Sequence, residues 1–68
     1  MTADEIAQFV KEKRKEQNIS QVKLTSKVGV GPSTLVKWER GMHCPSLEIA
    51  ILLLDCLGYE LVIRPRKD

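Results

Sequence analysis

Residues 21–40 read QVKLTSKVGVGPSTLVKWER, a segment that predicts two short helices joined by a tight turn. Leu35 and Trp38 are three residues apart, so they lie on one face of the second helix. Gly29 supplies the positive φ with which a helix ends and a turn begins. Pro32 suits the first position of the second helix, where its missing N–H costs little. Such a helix-turn-helix usually places its second helix, the reading helix, in the major groove of DNA.

Local signals also predict where the individual helices begin. Thr2 and Glu5 have the spacing of a capping box, so the first helix is expected to begin at Ala3. Within the helix-turn-helix, the two helices are expected at residues 21–28 and 32–40. The first of these two helices follows a serine, which is a favourable N-cap.

The pattern changes after a predicted fourth helix at residues 47–57. This helix is apolar on nearly every side, with Leu47 among its expected core residues. Residues 59–64 then alternate with period two and predict a β-strand that ends at Pro65. Because no other segment predicts a partner, the sequence favours a two-fold dimer that pairs two such strands antiparallel. The alternative is a disordered or loosely packed tail. The expected dimer interface consists of Tyr59, Leu61, Val62 and Ile63.

Length and charge favour one small domain with a polyanionic partner. The chain has 68 residues, which we divide into a helical bundle (2–58), a dimerisation strand (59–64) and a basic tail (65–68). Its formal net charge is only +2, but residues 11–40 contain eight lysines and arginines and three glutamates. A basic face of this kind is typical of proteins that bind a phosphate backbone. The alternative is an ordinary solvated helix surface.

Other classes of function find little support in the sequence. The N-terminus does not resemble a signal peptide and no apolar run is long enough to span a bilayer, so we expect a cytoplasmic protein. Two cysteines are too few for a disulfide framework. A zinc site built from His43, Cys44 and Cys56 would lack a fourth ligand, and we expect no metal and no cofactor. The chain has no recognisable set of catalytic residues, and we expect that it is not an enzyme.

Several short motifs, in order and without gaps, carry a family resemblance. They are Arg14, Ser20-Gln21, Leu24, Val28-Gly29-Val30, Ser33-Thr34-Leu35, Trp38-Glu39-Arg40-Gly41, Pro45-Ser46-Leu47 and Leu57-Gly58. On these residues the chain resembles the lambda-repressor-like (XRE-type) helix-turn-helix family, and the segment after them resembles its short HipB-like branch. The resemblance implies an all-α bundle of four helices, joined in a dimer by the C-terminal β-strand. It also implies a homodimeric transcription regulator that represses a palindromic DNA operator. The alternative is an antitoxin that neutralises a partner toxin and regulates its own operon.

The resemblance and the helical geometry together assign roles to individual residues. An ion pair between Arg14 and Glu39 is implied by the resemblance. Gln21 is expected to bind a phosphate and to brace the reading helix. The residues expected to contact DNA bases are Pro32, Ser33, Val36 and Lys37, with an exposed Val36 against a thymine methyl group. The residues expected to contact phosphates are Gln21, Lys23, Thr34, Arg40 and His43.

The sequence departs from the pattern of that family in two places, at residue 25 and at residues 31–32. Thr25 occupies a place that is usually alanine, so its added bulk and its hydroxyl group need room and a partner. Gly31 and Pro32 occupy places that usually hold polar residues, and neither can donate a side-chain hydrogen bond to a base. Sequence specificity is therefore expected to depend on the remaining reading residues and on DNA shape.

Overall fold

The computed structural model describes residues 2–66, and these residues form four α-helices. They are α1 (Ala3–Glu16), α2 (Gln21–Val28), α3 (Pro32–Glu39) and α4 (Leu47–Cys56). The predicted starts of all four helices are confirmed, while α3 and α4 each end one residue earlier than predicted. Met1, Lys67 and Asp68 lie outside the described residues, so half of the predicted basic tail does as well.

Side-chain caps explain why three of the helices begin where they do. The Thr2 hydroxyl oxygen accepts a hydrogen bond from the Glu5 N–H at 3.1 Å, and the Glu5 carboxylate accepts one from the Thr2 N–H at 3.2 Å. The hydroxyl oxygens of Ser20 and Ser46 cap α2 and α4 in the same way. Each cap satisfies an N–H group that has no partner inside its own helix.

The core lies between the helices, where α3 packs on α1 and α2, and α2 also packs on α4. Trp38 is 2% exposed, as expected of a core residue. Leu47 was expected in the core, and this prediction is wrong, because the residue is 63% exposed. Helical side chains lean toward the N-terminus, so the first residue of α4 points beyond the packed part of the helix. The buried apolar core consists of Ala7, Val10, Leu24, Leu35, Trp38, Ala50, Leu53, Leu54 and Leu57.

The turn between α2 and α3 has the geometry that the sequence predicts. Gly29 adopts the left-handed conformation with φ 77°, and the N–H of Val30 donates to the carbonyl of Thr25 at 3.2 Å. Thr25 itself is buried, and its hydroxyl donates to the carbonyl of Gln21 at 2.8 Å. The hydrogen-bonding capacity of the added hydroxyl group is thus satisfied inside α2, so the hydroxyl does not need a polar partner on α3.

The β-strand predicted at residues 59–64 is wrong for the single chain, in which this segment is irregular. In the part of the chain that the structure describes, Tyr59 N–H donates to the Leu54 carbonyl, and no backbone–backbone hydrogen bond involves residues 60–66. A strand needs a neighbouring strand to satisfy its backbone groups, and none is present within residues 2–66.

The first half of this C-terminal segment nevertheless packs against the bundle. The rings of Tyr59 and Phe9 meet edge to face, with their centroids 4.8 Å apart. Leu61 is half-buried and packs against the core, whereas Ile63 is 90% exposed. The segment therefore lies against α1 and α4 as far as Leu61, and the residues after it project into solvent.

Candidate nucleic-acid interface

A buried ion pair connects α1 to α3, directly behind the reading helix. Arg14 donates from Nε to Oε2 of Glu39 at 2.9 Å and from Nη2 to Oε1 at 3.0 Å. The side chains of these two residues are only 10% and 4% exposed. Such a bidentate contact sets the relative orientation of the guanidinium and carboxylate groups as well as their distance. The structure thus contains the ion pair that the family resemblance implies.

Two further groups complete this polar network. Arg14 Nη1 donates to the carbonyl oxygen of Ile19 at 2.9 Å, in the loop before α2. Gln21 Nε2 donates to Oε1 of Glu39 at 3.0 Å, from the first position of α2. One carboxylate near the end of α3 is therefore held by groups from both α1 and α2. This network fixes the position of the reading helix relative to the start of α2.

This geometry separates the two roles expected of Gln21. Its hydrogen bond to Glu39 braces α3, as the family resemblance implies. The side chain is half-buried, and one amide hydrogen is already used by that bond. Its contact with a DNA phosphate stays a prediction, and only the remaining amide hydrogen or the backbone N–H would be available to make it.

The reading helix has one face in the core and one toward solvent. Leu35 and Trp38 are buried and anchor α3. Of the four residues expected to contact bases, three are exposed: Pro32, Ser33 and Lys37. Val36 was expected to be exposed, and this prediction is wrong, because its side chain is half-buried along a cleft beside α1. It therefore offers only part of its surface to a ligand.

The residues expected to contact phosphates differ in exposure in the same way. Lys23, Arg40 and His43 are exposed, and Thr34 is half-buried. Within residues 2–66 the ion pairs are Arg14–Glu39 and one between neighbouring turns of α1. Lys23 and Arg40 are in neither pair, so both cations are available to an anionic ligand.

The second ion pair lies on α1, away from the reading helix. Lys13 Nζ lies 3.3 Å from a carboxylate oxygen of Glu16 and 5.6 Å from the centroid of the Phe9 ring. The hydrogen bond to Glu16, followed by the attraction of its charge, raises the pKa of Lys13 above its ordinary value. This lysine stays protonated at neutral pH. The Phe9 ring beneath it contacts Tyr59 of the C-terminal segment.

Sequence reasoning missed two backbone contacts that hold this arrangement together. The first is the hydrogen bond that the Ile19 carbonyl oxygen accepts from Arg14. Gln17 Nε2 donates to the Leu57 carbonyl oxygen at 2.8 Å and so ties the end of α1 to the end of α4. A backbone acceptor can belong to any residue type, so no pattern of side chains would have identified either one.

Comparisons with known proteins agree with this architecture. The sequence model of the helix-turn-helix family matches residues 10–63. An uncharacterized HTH-type transcriptional regulator from Methanothermobacter thermautotrophicus is 37% identical over 52 residues, which cover 76% of this chain and 75% of that protein. The type II methyltransferase M1.ScrFI of Lactococcus lactis subsp. cremoris is 43% identical over 56 residues, and the chain spans only 14% of its length. No solved structure gives a significant match.

The fold of residues 2–66 and the family match point to the same family. Within residues 2–66, no helix is long and apolar enough to cross a membrane. The family match covers most of the chain, including all of the helix-turn-helix and the network behind it. The chain therefore belongs to the XRE-type helix-turn-helix family, and its fold is that of a DNA-binding regulator.

Proposed function

We propose that this chain is a dimeric, sequence-specific repressor that binds a palindromic DNA operator. The observation that carries the proposal is the outward face of α3, on which Ser33 and Lys37 are exposed. The buried Arg14–Glu39 pair holds that face rigid from behind. A rigid helix with free hydrogen-bond donors is suited to base recognition, because little ordering remains to be paid for on binding.

The side chains of α3 suggest how the bases are read. Lys37 can donate to O6 and N7 of guanine, and the hydroxyl of Ser33 can donate or accept. The side chain of Val36 is half-buried, and we assign its exposed part to contact with a thymine methyl group. Gly31 and Pro32 add no side-chain hydrogen bond, so one copy of α3 reads few base pairs. Two copies on one duplex double the length of sequence that is recognised.

Phosphate contacts from the surrounding surface would fix the position of α3 on the duplex. We assign this role to Lys23, Thr34, Arg40, His43 and the amide of Gln21. Of these, the exposed cations Lys23 and Arg40 have no carboxylate partner in the described part of the chain. Contacts of this type provide affinity and register but carry no direct sequence information. A repressor of this kind acts when its operator overlaps a promoter.

Selection of binding sites from random double-stranded DNA tests the proposal as a whole. We expect a symmetric enriched motif whose half-sites are centred about 10 base pairs apart, because two recognition helices related by a two-fold axis enter successive major grooves. The absence of any enriched sequence would contradict sequence-specific recognition. An enriched motif with a single, unrepeated half-site would contradict the dimeric palindromic reading.

The dimer is proposed from the C-terminal segment and the adjoining surface of α4. Residues 60–66 make no backbone–backbone hydrogen bond within the described part of the chain, so their N–H and C=O groups are free to pair with a second copy. Ile51 and Leu52 on α4 are 41% and 39% exposed, and Val62 and Ile63 are more exposed still. Antiparallel pairing of two such segments would satisfy the backbone groups and cover apolar surface.

Proline substitutions distinguish backbone pairing from side-chain contact. Alternate residues of an antiparallel strand direct their N–H groups to one neighbour. Of two adjacent residues, only one donates its N–H to the partner strand. One of the two variants Val62→Pro and Ile63→Pro should therefore remove an intermolecular hydrogen bond and shift the dimer toward monomer in analytical ultracentrifugation. Val62→Ala and Ile63→Ala keep the N–H and serve as matched controls. Two proline variants that dimerise as tightly as their alanine controls would exclude strand pairing, and a monomeric wild-type chain would exclude the dimer.

The antitoxin function is a second candidate, and it comes from the HipB-like resemblance. The exposed apolar surface of α4 around Ile51 and Leu52 supports it, since a partner protein could cover that surface as well as a second copy could. Coexpression with the product of an adjacent gene provides the test. Relief of toxicity by this chain would support the antitoxin role, and an adjacent gene that is harmless alone would contradict it.

A further inference from the structure

An open cleft of about 460 Å³ lies between α1, the start of α2 and the end of α3. It is next to the reading face, because Val36 and Arg40 line it from α3. Its opposite wall belongs to α1, which carries none of the DNA contacts assigned above. The cleft is lined by Lys11, Arg14, Lys15, Ser20, Gln21, Val36, Glu39 and Arg40.

The charges around this cleft are strongly unbalanced. Arg14 and Glu39 neutralise each other, and both are buried. Lys11, Lys15 and Arg40 remain, and none of them forms an ion pair within residues 2–66. The cleft therefore has a net charge of +3. Three unpaired cations around one recess create a positive potential that attracts a compact anion.

The arrangement of α1 explains why two lysines reach the same cleft. Lys11 and Lys15 are four residues apart, one helical turn, and so lie on the same side of α1. Arg14 lies on that side too, and its bond to Glu39 orients this side of α1 toward α3. The side chain of Lys13 does not line the cleft, because it pairs with Glu16 and lies over the ring of Phe9.

We propose that Lys11 and Lys15 each bind a DNA backbone phosphate at this cleft and so extend the DNA contact surface from α3 onto α1. This inference rests on the proposed function, because the ligand is the duplex that α3 reads. A DNA backbone fits the site better than an acidic peptide does, since Arg40 and Val36 belong both to the cleft and to the reading helix. The strand bound by α3 would thus continue past Arg40 to the two lysines.

The test measures how duplex affinity depends on salt concentration for Lys11→Ala, Lys15→Ala and the double variant. The probe is a 20-base-pair duplex of random sequence, with the selected operator as a second probe. Each lysine that contacts a phosphate contributes about 0.9 to the slope of log affinity against log salt concentration, so the double variant should lose about 1.8 per bound copy. The loss should be equal for the two duplexes, because phosphates are the same in both.

Lys13→Ala is the matched control, since it removes one positive charge from the same helix outside the cleft. Its slope should equal that of the wild-type chain. Wild-type binding with a normal salt dependence, together with unchanged slopes in Lys11→Ala and Lys15→Ala, would overturn the cleft proposal alone. A wild-type chain that binds neither duplex would overturn the proposed function and the cleft with it. Alanine is the best helix former, and circular dichroism should show an unchanged total helix content in every variant.

Discussion

Replacing Arg14 with alanine is expected to lower the free energy of unfolding by about 3–5 kcal/mol. The change would leave the Glu39 carboxylate, whose side chain is 4% exposed, with Gln21 as its remaining partner. It would also leave the Ile19 carbonyl without the hydrogen bond from Arg14. Native proteins are stable by only roughly 0.05–0.15 kcal/mol per residue, so a large share of the stability of this small domain would be lost. Thermal unfolding followed by circular dichroism should show a Tm at least ~12 °C lower than that of the wild-type chain.

Two further variants show whether that loss comes from an unpaired buried charge. Lys15→Ala removes an exposed cation one residue away, and its stability should stay within about 0.5 kcal/mol of the wild type. The double change Arg14→Met with Glu39→Leu removes both charges, so it should be more stable than either single change. Arg14→Ala unfolding at the same temperature as Lys15→Ala would show that the ion pair does not support the fold.

Most helix boundaries could be predicted because they depend on local chemistry. The hydroxyl groups of Thr2, Ser20 and Ser46 reach N–H groups only three residues ahead, so the signal and its structural consequence lie in the same short segment. Gly29 likewise determines its own φ. Leu47 shows the limit of such reasoning, because periodicity assigns a face to a residue but does not show how far the neighbouring helices extend along it.

The C-terminal segment shows that the alternation of side chains is a property of the segment itself, whereas strand pairing requires a second segment. The alternation places Tyr59, Leu61 and Ile63 on one face. Tyr59 meets the ring of Phe9 and Leu61 packs against the core, whereas Ile63 is 90% exposed. The hydrogen bonds that define a strand come from another segment, and no described residue of this chain provides one. Pattern alone therefore indicates an alternation of side chains but does not establish which residues pack on the bundle or which segment pairs with this one.

The candidate site likewise contains some features that could be predicted and others that depend on contacts between helices. Family resemblance located the Arg14–Glu39 pair across 25 residues of sequence, which spacing within one helix could not have done. Residues 11–16 form an unbroken run of charged side chains in the sequence, and the structure divides this run into a buried arginine, a lysine paired with glutamate, and two lysines at the cleft. That division depends on where α3 lies, and a sequence pattern on α1 does not contain this information. The partial burial of Val36 escaped prediction for the same reason.

Replacing Lys37 with alanine is expected to weaken binding to the selected operator by roughly 5- to 150-fold for each bound copy of the chain. A lysine that donates to O6 and N7 of guanine contributes about 1–3 kcal/mol of discrimination against other bases. Lys37 is exposed on the reading face, in no ion pair of the described chain, and so free to make this contact. Fluorescence anisotropy titrations on the operator and on a random duplex should show a much larger loss on the operator. A repeated site selection should show a relaxed preference at one position of each half-site.

The comparison of the two duplexes decides whether Lys37 reads bases or only attracts the backbone. A phosphate contact would lower affinity equally for both duplexes and would leave the selected motif unchanged. Lys23→Ala is the matched control, because Lys23 is an exposed lysine assigned to phosphate and should give that uniform loss. Lys37→Arg keeps the charge and the donors, so it should keep a preference for guanine at the same position. Equal losses on the two duplexes for Lys37→Ala would assign the sequence preference to Ser33, Val36 and DNA shape instead.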